Sequence, residues 1–324
     1  MSLVRPRISV VVPTYRPDPR FLRETLLSVL RQDLGADVMD IDVVDDASPD
    51  DRPDAVVADV GGGRIGLYRQ PRNLGLARNW NACIERARGD WIHILHQDDC
   101  VAPGFYEALQ SGMDQPNVAI AYCRHAYIDA DGTVIGLSYL ERESPGIVED
   151  FLRRIATEQR IQFASAILRR TACLEAGGFD PAMVFALDWE MWARLASRAK
   201  VWFEPRVLAS YRLHDKSAGW GMAKNGVVVR DHLRAITLIN SYLPFEARHE
   251  LWQASLRSVA QYAFATATRL VERGAVREGL VLGLECFWRL RTGLRFVATR
   301  RLARLLRRVA STIAARGVRP RRMA

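Results

Sequence analysis

Four short apolar runs, residues 8–12, 41–44, 65–68 and 91–95, are separated by stretches with helical periodicity. A strand buried on both faces reads as a continuous β-branched run, and a helix covering it reads as an amphipathic one. The spacing predicts helices starting near Arg20 and over 76–88, with the first strand stopping at Pro13. Repeated strand–helix alternation builds a parallel sheet, which must be covered by helices because the crossovers lie on its faces. The expected fold class is therefore α/β, with a mixed and mostly parallel sheet flanked by helices.

The pattern changes downstream. Residues 118–136 read as an antiparallel hairpin around Asp129-Ala130-Asp131-Gly132. Strands are expected at 163–168, 201–203 and 207–211, and a helix at 189–197. Beyond about residue 228 only helical periodicity remains. The division this suggests is a catalytic domain over 1–225 and a helical region over 226–324. Gly219, Gly221 and Gly226 mark the loop between them.

Charge is distributed unevenly along the chain. From Cys286 onward there are twelve arginines and no Asp or Glu; removing them from the 46 basic residues leaves 34 against 37 acidic ones. Basicity thus belongs to the tail, where arginines interleave with Trp288, Leu294, Phe296, Val297, Leu302, Leu305, Leu306 and Val309. A helix of that pattern can lie in the interface of an anionic membrane, or pack on the catalytic domain with its arginines solvated. No nucleic-acid module is recognisable, so nucleic acid is not an expected partner. No signal peptide and no apolar run of roughly 20 residues is present, and the expected location is cytoplasmic, peripheral on the membrane face. Cys83, Cys100, Cys123, Cys173 and Cys286 lack metal-site or framework spacing and read as reduced thiols.

Chemistry concentrates where strands end. Asp45-Asp46 closes the second strand and Asp98-Asp99 closes the fourth, and the carboxyl ends of parallel strands share the edge where such sheets bind ligands. Paired carboxylates there could hold a hard divalent ion by oxygen ligands. The alternative for each pair is a solvated turn in which the aspartate bonds its own backbone. The run Gly61-Gly62-Gly63-Arg64-Ile65-Gly66 has dinucleotide-fingerprint spacing but precedes a strand instead of opening a helix, so it reads as a turn.

Taken in order, several segments resemble the family 2 glycosyltransferases, which have the GT-A fold. They are Ser9-Val10-Val11-Val12-Pro13-Thr14-Tyr15, Val43-Val44-Asp45-Asp46-Ala47-Ser48, Arg72-Asn73-Leu74-Gly75-Leu76-Ala77-Arg78-Asn79 and Asp98-Asp99, followed by Gly177-Gly178-Phe179-Asp180, Asp188-Trp189-Glu190 and Tyr211-Arg212-Leu213-His214. The resemblance covers roughly residues 8 to 215. It implies an inverting transferase that moves one sugar from a nucleotide diphosphate donor to a hydroxyl of a glycan or lipid-linked acceptor, with Mn2+ or Mg2+ as cofactor. By the same resemblance Pro13, Thr14 and Tyr15 line the nucleoside site, and Asp46 accepts the imide N–H of a uracil or thymine, favouring UDP or dTDP. Arg78 approaches the donor, Asp98 lies near the ribose, and Asp99 and His214 meet the metal. Asp188 is the catalytic base; it could equally cap the helix that follows it. The family often carries acids where this chain has His96 and Leu187. No QxxRW string is present, which speaks against a processive polymerase. Two alternatives stay open: a sugar-nucleotide nucleotidyltransferase, and a catalytically inactive membrane-peripheral binding protein of the same fold.

Overall fold

The computed structural model of the protein describes residues 7–50, 52–217, 219, 221–222 and 227–317, without the side chains of 291–298 and 313–317. In chain order the strands are β1 (Ile8–Thr14), β2 (Met39–Asp45), β3 (Gly66–Arg69), β4 (Trp91–Ile94), β5 (Cys100–Val101), β6 (Val118–Ile128), β7 (Val134–Leu137), β8 (Gly146–Ile147), β9 (Ala166–Arg169) and β10 (Lys200–Arg212). The helices are α1 (Pro19–Leu30), α2 (Arg52–Val60), α3 (Leu76–Arg86), α4 (Phe105–Met113), α5 (Phe151–Thr157), α6 (Arg170–Glu175), α7 (Leu187–Ala196), α8 (Val228–Tyr242), α9 (Phe245–Glu272) and α10 (Val276–Gly317).

One sheet orders the strands β3-β2-β1-β4-β9-β6-β10-β5, with β7 beside β6 and β8 beside β10. β1 to β4 pair in parallel, β9 runs against both β4 and β6, and β10 runs parallel to β6. The carboxyl ends of β1, β2, β3, β4, β6 and β10 therefore share one edge. This is the mixed, mostly parallel α/β sheet that the periodicity predicts.

Local sequence explains the beginning. Asp18 accepts the Arg20 N–H at 3.1 Å and Pro19 opens α1, a proline position that loses no helical bond. Buried Ser9 accepts the N–H groups of Arg88 and Gly89, tying β1 to the chain entering β4. A Cβ at Gly89 would lie 2.6 Å from the Ser9 nitrogen, so only glycine permits this approach.

The structure corrects several boundaries. β1 does not stop at Pro13 but continues to Thr14. Pairing with β4 ends where Leu95 donates to the Val11 carbonyl, so the missing N–H of Pro13 faces a side on which no ladder bond is due. The two late strands are one, β10, with register shifts at 200–201 and at 204–209. Residues 163–165 form a 3-10 turn before β9. The hairpin of β6 and β7 lies where expected.

Two compact units are present. The first, residues 1–152, 160–183 and 187–214, carries the sheet; its core is built on Val10, Val12, Leu22, Leu26, Ile41, Phe105 and Ile167. The second, residues 153–159, 184–186 and 215–324, carries α8, α9 and α10. A Cβ on Gly283 would meet Leu305 at 2.2 Å, although 22 residues of straight helix span about 33 Å, so α10 doubles back between them.

The expected continuous interfacial face of the tail is thereby divided. Leu290, Leu305 and Val309 are buried, Trp288 and Leu306 are exposed, and Leu294, Phe296 and Val297 lie outside the described side chains, as do all of residues 318–324. Two tail arginines meet carboxylates lying before Cys286, Arg289 with Glu285 and Arg308 with Glu272. No described helix is long and apolar enough to cross a membrane, and all five cysteines are free.

His93 sits wholly inside the sheet unit, stacked on Phe105 and bonded to the Tyr106 hydroxyl and the Ala164 carbonyl. Burial pushes its pKa from 6.5 down to about 3. The unfolded chain then takes up this proton below about 6.5 while the folded chain does not, so stability falls as pH drops from 6.5 toward 3. Denaturation midpoints measured between pH 7 and 5 should show this decline, and His93→Phe should remove up to roughly 1.4 kcal/mol of it per pH unit.

Candidate active site

At the shared edge, Asp45 is fully buried and its carboxylate collects four donors: the hydroxyls of Thr14 and Ser48, the Ser48 N–H and Arg69 Nε at 2.9 Å. It joins the ends of β1, β2 and β3 and sets the turn that follows. Ala47 in that turn has φ 56 and Arg16 opposite has φ 47, both left-handed, and the Arg16 N–H donates to Ser48 Oγ. Strained non-glycine backbone persists only where its surroundings hold it.

Asp46, also buried, accepts the N–H groups of Leu74 and Gly75 at 2.7 and 2.9 Å, and Asn73 donates to its carbonyl. Its first task is to hold the loop that enters α3. Each oxygen keeps a second lone pair beyond these bonds. Burial raises the Asp46 pKa, and the two backbone N–H groups oppose that rise. Asn79 is spent on structure as well, donating to the Val44 carbonyl and accepting from Gln70.

The second acidic pair is held by α1 and β10. Thr25 and Ser28 on one face of α1, and Gln32 in the turn after it, bond the Asp99 carbonyl, the Val101 N–H and the Phe105 N–H. Asp99 is 0% exposed, and one carboxylate oxygen accepts the backbone N–H of Arg212 at 2.9 Å. Its other oxygen has no hydrogen-bond partner. Burial, and then the charge of Asp98, raise its pKa well above the usual carboxylate range.

Asp98 points the other way. Its Oδ2 lies 2.8 Å from His214 Nε2, and their side chains keep 18% and 9% exposure. Phe21 of α1 supports both residues that flank Leu213: its ring centroid is 4.9 Å from the His214 ring and 4.6 Å from the Arg212 guanidinium carbon. That guanidinium is itself buried and spans the Asp98 carbonyl, Glu24, and the Ala130 carbonyl of the β6–β7 turn. Arg212 thus fastens three strand ends instead of presenting its charge.

An oxygen and an imidazole nitrogen 2.8 Å apart at a ligand-binding edge suit a borderline or hard divalent ion. The buried, half-satisfied Asp99 carboxylate adds a reason for positive charge nearby. Among the described residues no group of three or more His, Cys, Asp or Glu converges, so Asp98 and His214 could supply only part of a coordination shell.

Asp188 stands in the first turn of α7 and its carboxylate accepts the Trp189 N–H at 2.7 Å. Leu187, where an acid was a possibility, is buried. The helix is fixed by the pair Glu190–Arg194, whose guanidinium also bonds the carbonyls of Ala176 and Gly178. Gly178 has φ 70 and a Cβ there would meet Asn81 at 2.5 Å; Asn81 in turn brackets the backbone of Phe179 at 2.9 and 2.7 Å. The Gly177–Asp180 segment is therefore a joint between α3 and α7.

Among the expected nucleoside residues, Pro13 and Thr14 are buried in β1, and exposed Tyr15 exchanges backbone bonds with Gln97. Arg78 is exposed on α3. His96 is stacked on Trp80 and packed against Phe163, with burial lowering its pKa to about 4. It fills the place of an acid with a neutral ring inside an aromatic cluster. Sequence reasoning missed Gln97, Ser48, Glu24, Gln32 and the polar pair Thr25 and Ser28 of α1; the Thr25-Ser28 spacing within an otherwise apolar helix face is the signal that could have found that pair.

The sequence profile described as glycosyl transferase family 2 matches residues 9–176. A protein of Mycobacterium tuberculosis is 31% identical over 220 residues, covering 64% of this chain and 67% of its own. A Rickettsia typhi protein named as a glycosyltransferase is 22% identical, covering 65% of each chain. Among solved structures, S. aureus TarS residues 1–349 with UDP-GlcNAc aligns with TM-score 0.68 at 15% identity, covering 98% of this chain and 94% of that one. The Pyrobaculum calidifontis mannosyltransferase PcManGT with GDP-Man and Mn2+ aligns with TM-score 0.55 at 18% identity, covering 95% and 87%. These structures share the GT-A fold with this chain.

Because Asp45 is the buried acceptor for three separate elements, Asp45→Ala should lower unfolding free energy by on the order of 3 kcal/mol in urea denaturation. A loss under about 0.5 kcal/mol would contradict its role as the joint.

Proposed function

The chain belongs to glycosyl transferase family 2, and from that premise we propose that it transfers a single sugar, with inversion, from a nucleotide diphosphate sugar to a hydroxyl of a glycan or lipid-linked acceptor. The observation that carries this is the Asp98–His214 pair at 2.8 Å, at the same carboxyl edge of the sheet as the loop that Asp46 holds. Asp98 and His214 would hold Mn2+ or Mg2+, in place of the Asp99–His214 pair that the resemblance implies, because Asp99 is wholly buried, bonds the Arg212 N–H and fixes the loop behind them, while Asp98 is the carboxylate that meets His214. When bound, the ion stabilises the negative charge that builds on the departing diphosphate.

The other roles fall to residues of the same edge. Pro13, Thr14 and Tyr15 flank the nucleoside. Asp46 positions the 73–75 loop and offers its remaining lone pairs to the imide N–H of a uracil or thymine, which favours UDP or dTDP. Arg78, exposed on α3, can reach a donor phosphate. Asp188 removes the acceptor hydroxyl proton as that oxygen attacks the anomeric carbon; the new glycosidic bond forms while the bond to the diphosphate breaks, and the proton stays on the carboxylate. A nucleotidyltransferase is disfavoured because Pro13-Thr14-Tyr15-Arg16-Pro17 offers no glycine-rich phosphate loop.

Exposed Trp288 and Leu306, with Arg304 and Arg307 also exposed, support peripheral contact with an anionic membrane on its cytoplasmic face. Such contact would bring the edge to a lipid-linked acceptor.

Transfer should be measured from a panel of nucleotide sugars with Mn2+ or Mg2+. Chelation, Asp98→Asn and His214→Ala should each abolish metal-dependent nucleotide binding. Asp188→Asn should keep nucleotide affinity within about twofold while turnover falls on the order of 10²- to 10⁴-fold. Undiminished turnover in Asp188→Asn would remove the base from this scheme, and metal-independent nucleotide binding would remove the ion. Liposome flotation of the full chain should show binding to vesicles rich in phosphatidylglycerol and none to phosphatidylcholine alone; equal recovery from both would sink the membrane contact.

A further inference from the structure

Asp231 lies in the first turn of α8, outside the residues the family profile matches. Its side chain is buried, and a single oxygen, Oδ2, accepts three consecutive backbone N–H groups: Val184 at 3.1 Å, Phe185 at 2.6 Å and Ala186 at 2.8 Å. Successive N–H groups converging on one point form an anion-binding concavity, and here a carboxylate of the same compact unit fills it. The Phe185 ring packs at 5.2 Å from His232, the next residue of α8, and at 6.0 Å from Tyr262 of α9.

Residues 184–186 have no regular secondary structure to hold them. Val184 is exposed, and the carboxylate satisfies three backbone donors that would otherwise lose their partner. The chain continues from Ala186 without a break into Leu187 and Asp188, the opening of α7. At the other end of α7, Arg194 fixes the helix to the Gly177–Asp180 joint. The start of the helix is fixed by the segment that Asp231 gathers.

We infer that Asp231 is a positioning residue for glycosyl transfer: by gathering the N–H groups of Val184, Phe185 and Ala186 it sets the place of Asp188 at the head of α7. This rests on the reading of Asp188 as the base. A displacement on the order of 1 Å at a reacting group can cost about a hundredfold in rate, so one anchored loop is enough to matter.

The test uses the full-length chain as wild type, Asp231→Ala, Asp231→Asn and Asp188→Asn, measuring UDP, dTDP and GDP affinity with Mn2+, turnover, and amide hydrogen exchange. Asp231→Ala should lower kcat by about 10- to 100-fold, with nucleotide affinity and donor KM unchanged within about twofold. Exchange over 184–190 should quicken at least about tenfold while the amides of 8–14 and 39–46 keep their protection. Asp231→Asn keeps an acceptor oxygen in place and should recover most of the rate. Unchanged exchange over 187–190, or a kcat within about twofold of wild type, overturns the positioning role. Weaker nucleotide binding together with faster exchange over 39–46 also overturns it, since that marks general loosening. Full turnover in Asp188→Asn overturns the base assignment beneath it, and is read independently of the exchange data.

Discussion

One hydrogen bond, from the Arg212 N–H to the Asp99 carboxylate, joins residues 113 positions apart and places both halves of the candidate metal site. Asp98 precedes the acceptor and His214 follows the donor by two residues. The 2.8 Å approach of Asp98 to His214 is therefore a consequence of how the two backbones are pinned. The pin is reinforced by the Arg212 guanidinium, which bonds the Asp98 carbonyl, and by Thr25, which bonds the Asp99 carbonyl from α1. The entropy of ordering both loops is thus met by buried bonds that form when the sheet forms.

The two acidic pairs divide their work in the same way. In each, one carboxylate is 0% exposed and spent on protein donors, Asp45 on Thr14, Ser48 and Arg69, and Asp99 on the β10 backbone. Its neighbour is left to face outward, as Asp98 does, or to hold the adjoining loop, as Asp46 does for Leu74 and Gly75. Asp45 ends β2, where adjacent residues point to opposite sides, whereas Asp98 stands in the turn between β4 and β5 and Asp99 just before β5. A doublet at a strand end supplies one buried anchor and one group aimed elsewhere. Burial of an anchor with incomplete partners is tolerable when the group keeps a proton or when positive charge arrives to compensate, and Asp99, with its unpartnered Oδ2 and raised pKa, is in that condition.

Much of the frame is readable in the sequence because it rests on periodicity. Strands 8–12, 41–44, 65–68 and 91–95 and the helix over 76–88 follow from β-branched runs and apolar spacing, and the shared edge follows from parallel pairing. What periodicity does not carry is which member of a doublet turns inward, since both orders satisfy the same pattern. Nor does it show that Arg212 is a buried clamp, because its partners Glu24 and Ala130 are 188 and 82 positions away. Short elements such as β5 and β8 have too few residues for any period to be visible. The doubling back of α10 was hidden because arginine and leucine interleave there as they would along one straight amphipathic face.

The family profile ends at residue 176, yet Asp188, Arg212 and His214 all lie beyond it. The matched half supplies the floor of the site: four parallel strands, the buried Asp45 and the loop at Asp98. In the proposed scheme later elements supply the remaining groups, α7 carrying Asp188 and β10 leading to His214. Such an arrangement lets the nucleotide end of the site be dictated by backbone geometry near strand termini. In that scheme the acceptor end depends on α7, which Arg194 ties to Gly178 and which follows the residues bonded by Asp231. Polar anchors of this kind tolerate little change in geometry, because a lost partner leaves an unsatisfied buried donor.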